Sequence, residues 1–198
     1  GHLVSIPFRK SEREGVVISL KQTSIPGKRI KPIHGIIDQT PILTPQQIEI
    51  AQWMASYYFV SLGTVIKSML PPLPKRKIRI RQPAWPVKTI VEPASEIHDL
   101  AAAISAEPGR KFVFRPRTQA DTARLYNAFI SNNSFPIVFI VPDNADIKPL
   151  AALIPEQLRD TTVLFHSQLN KNQLYDAYVK TRDGQADIII GTKLAVFL

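Results

Sequence analysis

Along the first forty residues, apolar and polar positions change places over short distances. Leu3 to Phe8 alternates, Gly15-Val16-Val17-Ile18-Ser19-Leu20 is rich in β-forming residues, and Ile33 to Ile37 supplies a third candidate strand. Ser11 to Glu14 is polar and predicts the turn of a hairpin between the first two, and Ile25-Pro26-Gly27-Lys28 signals another turn. The pattern is already under way at Gly1, as expected of a domain whose opening strand comes earlier. At Thr44 the period lengthens. Thr is a good helix N-cap, Pro45 suits the first helical position and Gln47 completes a capping box. Ile50, Trp53, Met54, Tyr57 and Tyr58 follow at spacings of three and four, which predicts one apolar face. A second short helix is predicted from about Leu62 to Leu70, stopped by Pro71-Pro72-Leu73-Pro74.

The run Lys75-Arg76-Lys77-Ile78-Arg79-Ile80-Arg81 comes next. Read as a strand, it places Lys75, Lys77, Arg79 and Arg81 on one face at steps of about 6.6 Å. Such a row can track a phosphate backbone, or it can be a solvated edge strand whose charges block aggregation. Both readings stand. Residues 82–110 carry four prolines and one amphipathic stretch, Ser95 to Ser105, the texture of a linker with a short helix. From Lys111 strands and helices alternate. Strands are predicted at Phe112-Val113-Phe114, Pro136 to Val141, Thr162 to Phe165 and Asp187 to Ile190. Helices are predicted at Thr118 to Ile130, Ile147 to Arg159 and Gln173 to Arg182. This order predicts a parallel sheet covered by helices, with ligands at the carboxyl ends of its strands. Four strands and an apolar tail, Leu194-Ala195-Val196-Phe197-Leu198, are the pattern of a domain cut short and of a fragment of a longer chain.

Composition adds one decisive feature. Of 198 residues 25 are Lys or Arg and 16 are Asp or Glu, a net charge of +9. Residues 1–81 hold 13 of these cations and 4 of the anions, so the whole surplus lies there; residues 82–198 hold 12 of each. Such an imbalance points to a polyanion, because clustered cations displace the counterions condensed on phosphates. A basic solvated surface is the alternative. The chain has no cysteine, which excludes disulfides and thiolate sites, and four scattered histidines without ligand spacing. No apolar run, Ile137 to Val141 included, exceeds five residues, too short to span a bilayer, and no signal-peptide pattern opens the chain, so a cytoplasmic protein is expected.

Two segments resemble the bacterial primosomal replication-restart helicases of the PriA type. The first comprises Val4-Ser5-Ile6-Pro7-Phe8-Arg9-Lys10, Glu12-Arg13-Glu14-Gly15-Val16-Val17, Ile36-Ile37-Asp38-Gln39-Thr40-Pro41-Ile42, Ala55-Ser56-Tyr57-Tyr58 and Leu62-Gly63-Thr64-Val65. It is similar to the family's N-terminal domain, which binds the 3′ end of the leading strand at a fork. The second comprises Val163-Leu164-Phe165-His166-Ser167-Gln168-Leu169 and the run Gly184-Gln185-Ala186-Asp187-Ile188-Ile189-Ile190-Gly191-Thr192-Lys193-Leu194-Ala195-Val196-Phe197. It resembles the early motifs of the family's first RecA-like lobe. The implied fold is an α+β, β-rich DNA-binding domain with a helix pair (1–74), a basic strand and Pro-rich linker (75–110), and an incomplete α/β RecA-like, P-loop-type lobe (111–198). The stretch between Pro74 and Lys111 is short for the winged-helix domain that usually follows.

The departures from the family matter as much. The family's phosphate loop ends in Gly-Lys-Thr. Aligning Tyr126 with the tyrosine that follows that loop puts Pro116-Arg117-Thr118-Gln119-Ala120-Asp121-Thr122-Ala123 in its place. Thr122 then stands for the lysine, Ala123 for the magnesium-holding hydroxyl, Asp121 brings a negative charge, and the glycines are gone. Arg115 and Arg117 are expected to be solvent-exposed. The acidic motif and the second lobe would follow Leu198. The expectation is therefore no hydrolysis, no catalytic residue, no metal and no cofactor.

DNA contacts are expected instead. Arg9 replaces the family's glycine after Pro7-Phe8, exchanging close approach for charge, next to Lys10, and Lys31 matches a lysine used near the DNA end. Thr192 and Lys193 match, with Val141-Pro142-Asp143, segments that touch the DNA backbone in related helicases; ending a strand and its turn is their alternative role. Tyr57 and Tyr58 are ordinary core candidates, with base stacking as the alternative, and His166 is expected to cap or pack. The chain is thus expected to bind single-stranded or forked DNA through phosphates. The competing reading is a protein-interaction module for primosome proteins or single-stranded-DNA-binding protein.

Overall fold

Leu3–Phe8 (β1) and Ser11–Val16 (β2) pair antiparallel, Leu3 opposite Val16 and Phe8 opposite Ser11. The turn between them is Arg9-Lys10. The polar stretch Ser11 to Glu14, predicted as the turn, is the outgoing strand itself, and its exposed side chains explain its polarity. Gly35–Ile36 (β3) joins the other edge of β1, giving the order β2-β1-β3. This computed structural model describes residues 1–22, 30–72, 84–132 and 136–198. The turn predicted at Ile25 to Lys28 and the basic strand Lys75 to Arg81 lie outside them.

The chain divides into two units, Gly1–Leu70 and Pro71–Leu198. In the first, two helices follow the sheet. Pro45–Tyr57 (α1) starts with the predicted capping box: the Gln47 amide donates to Thr44 Oγ1 at 3.2 Å and the Thr44 amide to Gln47 Oε1 at 2.8 Å. Ser61 caps Leu62–Met69 (α2) through the Thr64 amide. Leu3, Val4, Ile42, Leu43, Ala51, Val65 and Met69 are buried in this unit. The α1 residues that go inside are Ile48 and Ala51. The predicted apolar face is on the outside, with Trp53, Tyr57 and Tyr58 each about six-tenths exposed.

The second unit opens on Ser95–Ser105 (α3), which packs against Gln119–Asn132 (α4) through Ala101, Leu125 and Ala128. Phe112-Val113-Phe114, predicted as a strand, forms none. Phe114 packs on the α3–α4 core, while Val113 is fully exposed, so this short apolar run serves a helix pair. Three strands remain among the described residues: Ile137–Ile140 (β4), Thr162–Phe165 (β5) and Ile188–Gly191 (β6), all parallel in the order β4-β6-β5. Asn144–Ala151 (α5) and Lys171–Arg182 (α6) connect them, both begun by capping boxes. The helix predicted over 147–159 ends earlier. Pro155 has no amide to continue it, and only a short 3₁₀ turn, Glu156–Leu158, follows.

The central strand β6 is buried throughout, as a parallel strand covered on both faces must be. Ile188 and Ile190 join Phe139, Ile147 and Leu150 on one side. Ile189 joins Val163, Phe165, Ala177 and Ala195 on the other. Residues Lys193–Phe197 form a 3₁₀ turn in which Ala195 is buried and Leu194 and Leu198 pack on the same cluster. The apolar tail is therefore largely folded back, with only Val196 standing out at 62 % exposure. Among the described residues, no helix is long and apolar enough to cross a membrane.

Candidate nucleic-acid interface

In the first unit the hairpin turn carries charge at its tip. Arg9 has φ 55°, the left-handed region, and Lys10 does not share it. A positive φ only at the first of two turn residues is the φ pattern of a type II′ hairpin turn, where glycine is preferred. The position that holds glycine in the resembling family thus keeps a glycine-like backbone here under an arginine side chain. Its guanidinium lies over the Phe8 ring, 5.8 Å from the centroid. Ser11 Oγ donates to the Phe8 carbonyl at 3.2 Å and steadies the turn. Arg9, Lys10 and Lys31 are exposed, and none of them forms an ion pair with another described residue. Behind the tip, Glu12 is held by His34, whose Nδ1 lies 2.7 Å from Glu12 Oε1. The same carboxylate accepts from Ser5 Oγ at 3.4 Å, so its described partners are Ser5 and His34 and not the tip.

The second unit presents its polar groups at the carboxyl edge of the parallel sheet. The Val141 amide donates to Gly191 O at 2.8 Å and the Thr192 amide to Phe165 O at 3.2 Å, so the ends of all three strands are laced together. Gly191 is needed there. A Cβ on it would sit 2.5 Å from both the Phe165 oxygen and the Ala195 Cβ. Thr192 O accepts from the Ala195 amide at 2.8 Å and starts the 3₁₀ turn, while Lys193 points into solvent. Asn144 Nδ2 donates to Ser167 Oγ at 3.2 Å, joining the segments after β4 and β5. Asn144 Oδ1 and His166 Nδ1 are buried without a hydrogen bond among the described residues. Burial holds the His166 imidazole below its ordinary pKa, so it is neutral near pH 7. The sequence pointed to Thr192 and Lys193 but missed Asn144 and Ser167. Their adjacency follows from strand order, which no local pattern reveals.

The segment aligned with the nucleotide loop is a helix start. Thr118 caps α4: its amide donates to Asp121 Oδ2 at 3.0 Å, and the Asp121 amide donates to Thr118 Oγ1 at 3.2 Å. Arg124 Nη1 reaches Asp121 Oδ1 at 3.1 Å and its Nε donates to the Glu92 carbonyl at 3.3 Å. Burial alone would raise the Asp121 pKa; the bonds from Thr118 and Arg124 outweigh it and hold the carboxyl below its ordinary value. Gln119 is exposed, and Thr122 is half-buried. Ala123 packs on the core with Tyr126, whose ring meets Phe139 edge-on at 5.3 Å. Arg115 and Arg117 are exposed. Lys75, Lys77, Arg79 and Arg81 lie outside the described residues.

Residues 1–71 match the family of the PriA 3′DNA-binding domain (3′BD). The whole chain aligns with replication restart protein PriA of Rickettsia prowazekii, 23 % identical over 202 residues and covering 31 % of that protein. PriA of Helicobacter pylori is 24 % identical over 201 residues, again with all of this chain and 31 % of the relative. PriA of Chlamydia pneumoniae is 32 % identical over 82 residues, 41 % of this chain and 11 % of the relative. The chain spans under a third of the length of the relatives it matches from end to end.

Proposed function

We propose that this chain, whose first 71 residues are matched by the PriA-type 3′ DNA-binding domain, is a DNA-binding, ATPase-inactive member of the replication-restart helicase family. It binds single-stranded or forked DNA mainly through phosphates. The observation that carries the reading is a charged, exposed hairpin tip, Arg9 and Lys10, with no ion-pair partner among the described residues, on a unit of that domain type. Cations at a hairpin apex reach a polyanion without desolvating a core, and each phosphate neutralised releases counterions. Thr192 and Lys193, at the carboxyl edge of a sheet we read as a RecA-like lobe, add a hydroxyl and an ammonium to the same backbone.

Inactivity toward ATP rests on residues 116–123. A phosphate loop needs bare amides at a helix N-terminus, a lysine and a hydroxyl for magnesium. Here the first-turn amide that a phosphate would take is bonded to the Thr118 hydroxyl, and the Asp121 carboxylate holds the N-cap amide with a negative charge of its own. Ala123 faces the core where the metal-binding hydroxyl belongs. The residues present do not fit a magnesium–nucleotide pair.

Anisotropy titrations of forked and single-stranded DNA over a salt series test the reading. Wild type should bind with a steep salt dependence, and replacing Lys75, Lys77, Arg79 and Arg81 by Gln should flatten the slope by about 3, at roughly 0.7 per phosphate on a single strand. Affinity independent of salt would sink the phosphate mechanism, and DNA-stimulated phosphate release would sink the inactive assignment.

A further inference from the structure

Four aromatic side chains stand together at the C-terminal end of α1 without a core to enter. Trp53, Tyr57, Tyr58 and Phe59 are 59 %, 62 %, 59 % and 96 % exposed. The helix buries Ile48 and Ala51 on its other side. Trp53 and Tyr57 are stacked, centroids 5.0 Å apart at 22°, and Tyr58 meets Tyr57 edge-on at 4.9 Å and 83°. Rings of this size normally supply burial. Here Trp53, Tyr57 and Tyr58 have organised against one another and still present faces to solvent.

Phe59 adds a second, independent observation. The helix closes with the Tyr58 amide on Met54 O at 2.9 Å and the Val60 amide on Ala55 O at 3.1 Å, a Schellman-type ending. The residue after the cap must then be left-handed, and Phe59 has φ 53°. Glycine takes this conformation freely; a phenylalanine adopts it at a cost. That cost is not repaid by packing, since the ring is almost wholly in solvent. Strain kept at an exposed aromatic residue directs attention to what the ring touches outside the protein.

We infer that Trp53, Tyr57, Tyr58 and Phe59 form a stacking platform for unpaired nucleobases of single-stranded DNA. The inference rests on the DNA-binding reading above and adds a different kind of contact. No Lys or Arg occurs from Pro32 to Ile66, so α1 itself brings no cation to this face. The unit's cations lie elsewhere in its sequence, among them Arg9, Lys10, Lys31 and Lys67. Non-selective single-strand binders combine these two parts, a basic track for the backbone and aromatic rings for bases of any sequence. Base stacking also explains flat rings kept at the surface of a unit whose net charge favours nucleic acid. Because the platform neutralises no phosphate, its contribution should hardly depend on salt.

The test uses the full chain, a twelve-residue oligothymidylate carrying one 2-aminopurine, and a blunt duplex without unpaired bases. Binding should quench the 2-aminopurine. Phe59→Gly should weaken single-strand binding about five- to tenfold, and Trp53→Ala with Phe59→Gly further, at an unchanged salt slope and with little effect on the duplex. Phe59→Gly should melt no lower than wild type, so its loss of affinity cannot be loss of fold. Wild type binding neither DNA at low salt would refute the DNA-binding reading itself. Wild type binding both, with the variants unchanged or weakened equally on the duplex, overturns the platform alone. So does a variant pair with normal DNA binding that no longer retains purified single-stranded-DNA-binding protein held by wild type, since the rings would then be a protein-docking face.

Discussion

Thr118 and Asp121 cap each other at the start of α4, each backbone amide donating to the other's side chain at 3.0 and 3.2 Å. The pair does for this helix what a bound phosphate does at the start of a nucleotide-binding one, and it does so with a residue that carries negative charge.

Asp121→Ala should therefore destabilise the protein by freeing the Thr118 amide, and leave ATP turnover at background. Urea denaturation with a phosphate-release assay checks both. The wild-type carboxyl has its pKa lowered in the folded state, so its contribution is present above the unfolded pKa and lost as pH falls through the folded one. Removing the carboxyl should accordingly cost less at pH 3 than at pH 7. Turnover gained by the alanine variant would mean that only this charge blocks the site.

Arg9→Gly should separate stability from binding. At φ 55° glycine is at ease, so the variant should be more stable, by up to about 1–2 kcal/mol. It should also bind DNA more weakly, with a salt slope lower by about 0.7–0.9, one phosphate's worth. Thermal melts and salt-series titrations read the two effects independently. Unchanged binding would remove Arg9 from the interface.

How much of this was legible beforehand depended on how local each signal is. The capping box Thr44/Gln47 and strands β1 and β5 were readable because their determinants lie within a few residues. The hairpin turn was misplaced because Arg9-Lys10 lacks the glycine that marks such turns, while β2 is polar on a solvated surface. Phe112 to Phe114 has strand composition, yet its partner is the helix pair, a choice made by tertiary packing. Periodicity found the aromatic spacing of α1 but assigned it to the core; the smaller Ala51 and Ile48 went inside instead. The Asn144–Ser167 bond joins residues 23 apart in sequence and could come only from the sheet order.

His166 predicts a pH dependence of stability. Burial lowers its folded pKa from 6.5, so between that value and the folded one the unfolded chain binds more protons. Stability should rise with pH through this window and level off above about 6.5. Denaturation at pH 5.5 and 7.5 should find the protein weaker at the lower pH, and His166→Asn should remove most of that difference. An equal difference in the variant would place the titration elsewhere.

Gly191 and Lys193 should fail in different ways although two residues apart. A methyl group at Gly191 meets the Phe165 carbonyl oxygen and the Ala195 Cβ at 2.5 Å, and the former is backbone that cannot step aside cheaply. Gly191→Ala should cost about 1–3 kcal/mol, the range for overpacking, and weaken DNA binding by displacing Thr192. Lys193 is exposed and pairs with no described residue, so Lys193→Ala should leave stability within about 0.5 kcal/mol. It should lower the salt slope by about 0.7–0.9. Urea denaturation and anisotropy titration on the two variants separate a residue that builds the sheet edge from one that uses it. A Lys193→Ala slope equal to wild type would leave that edge a piece of scaffold, with the hairpin tip carrying the phosphate contacts.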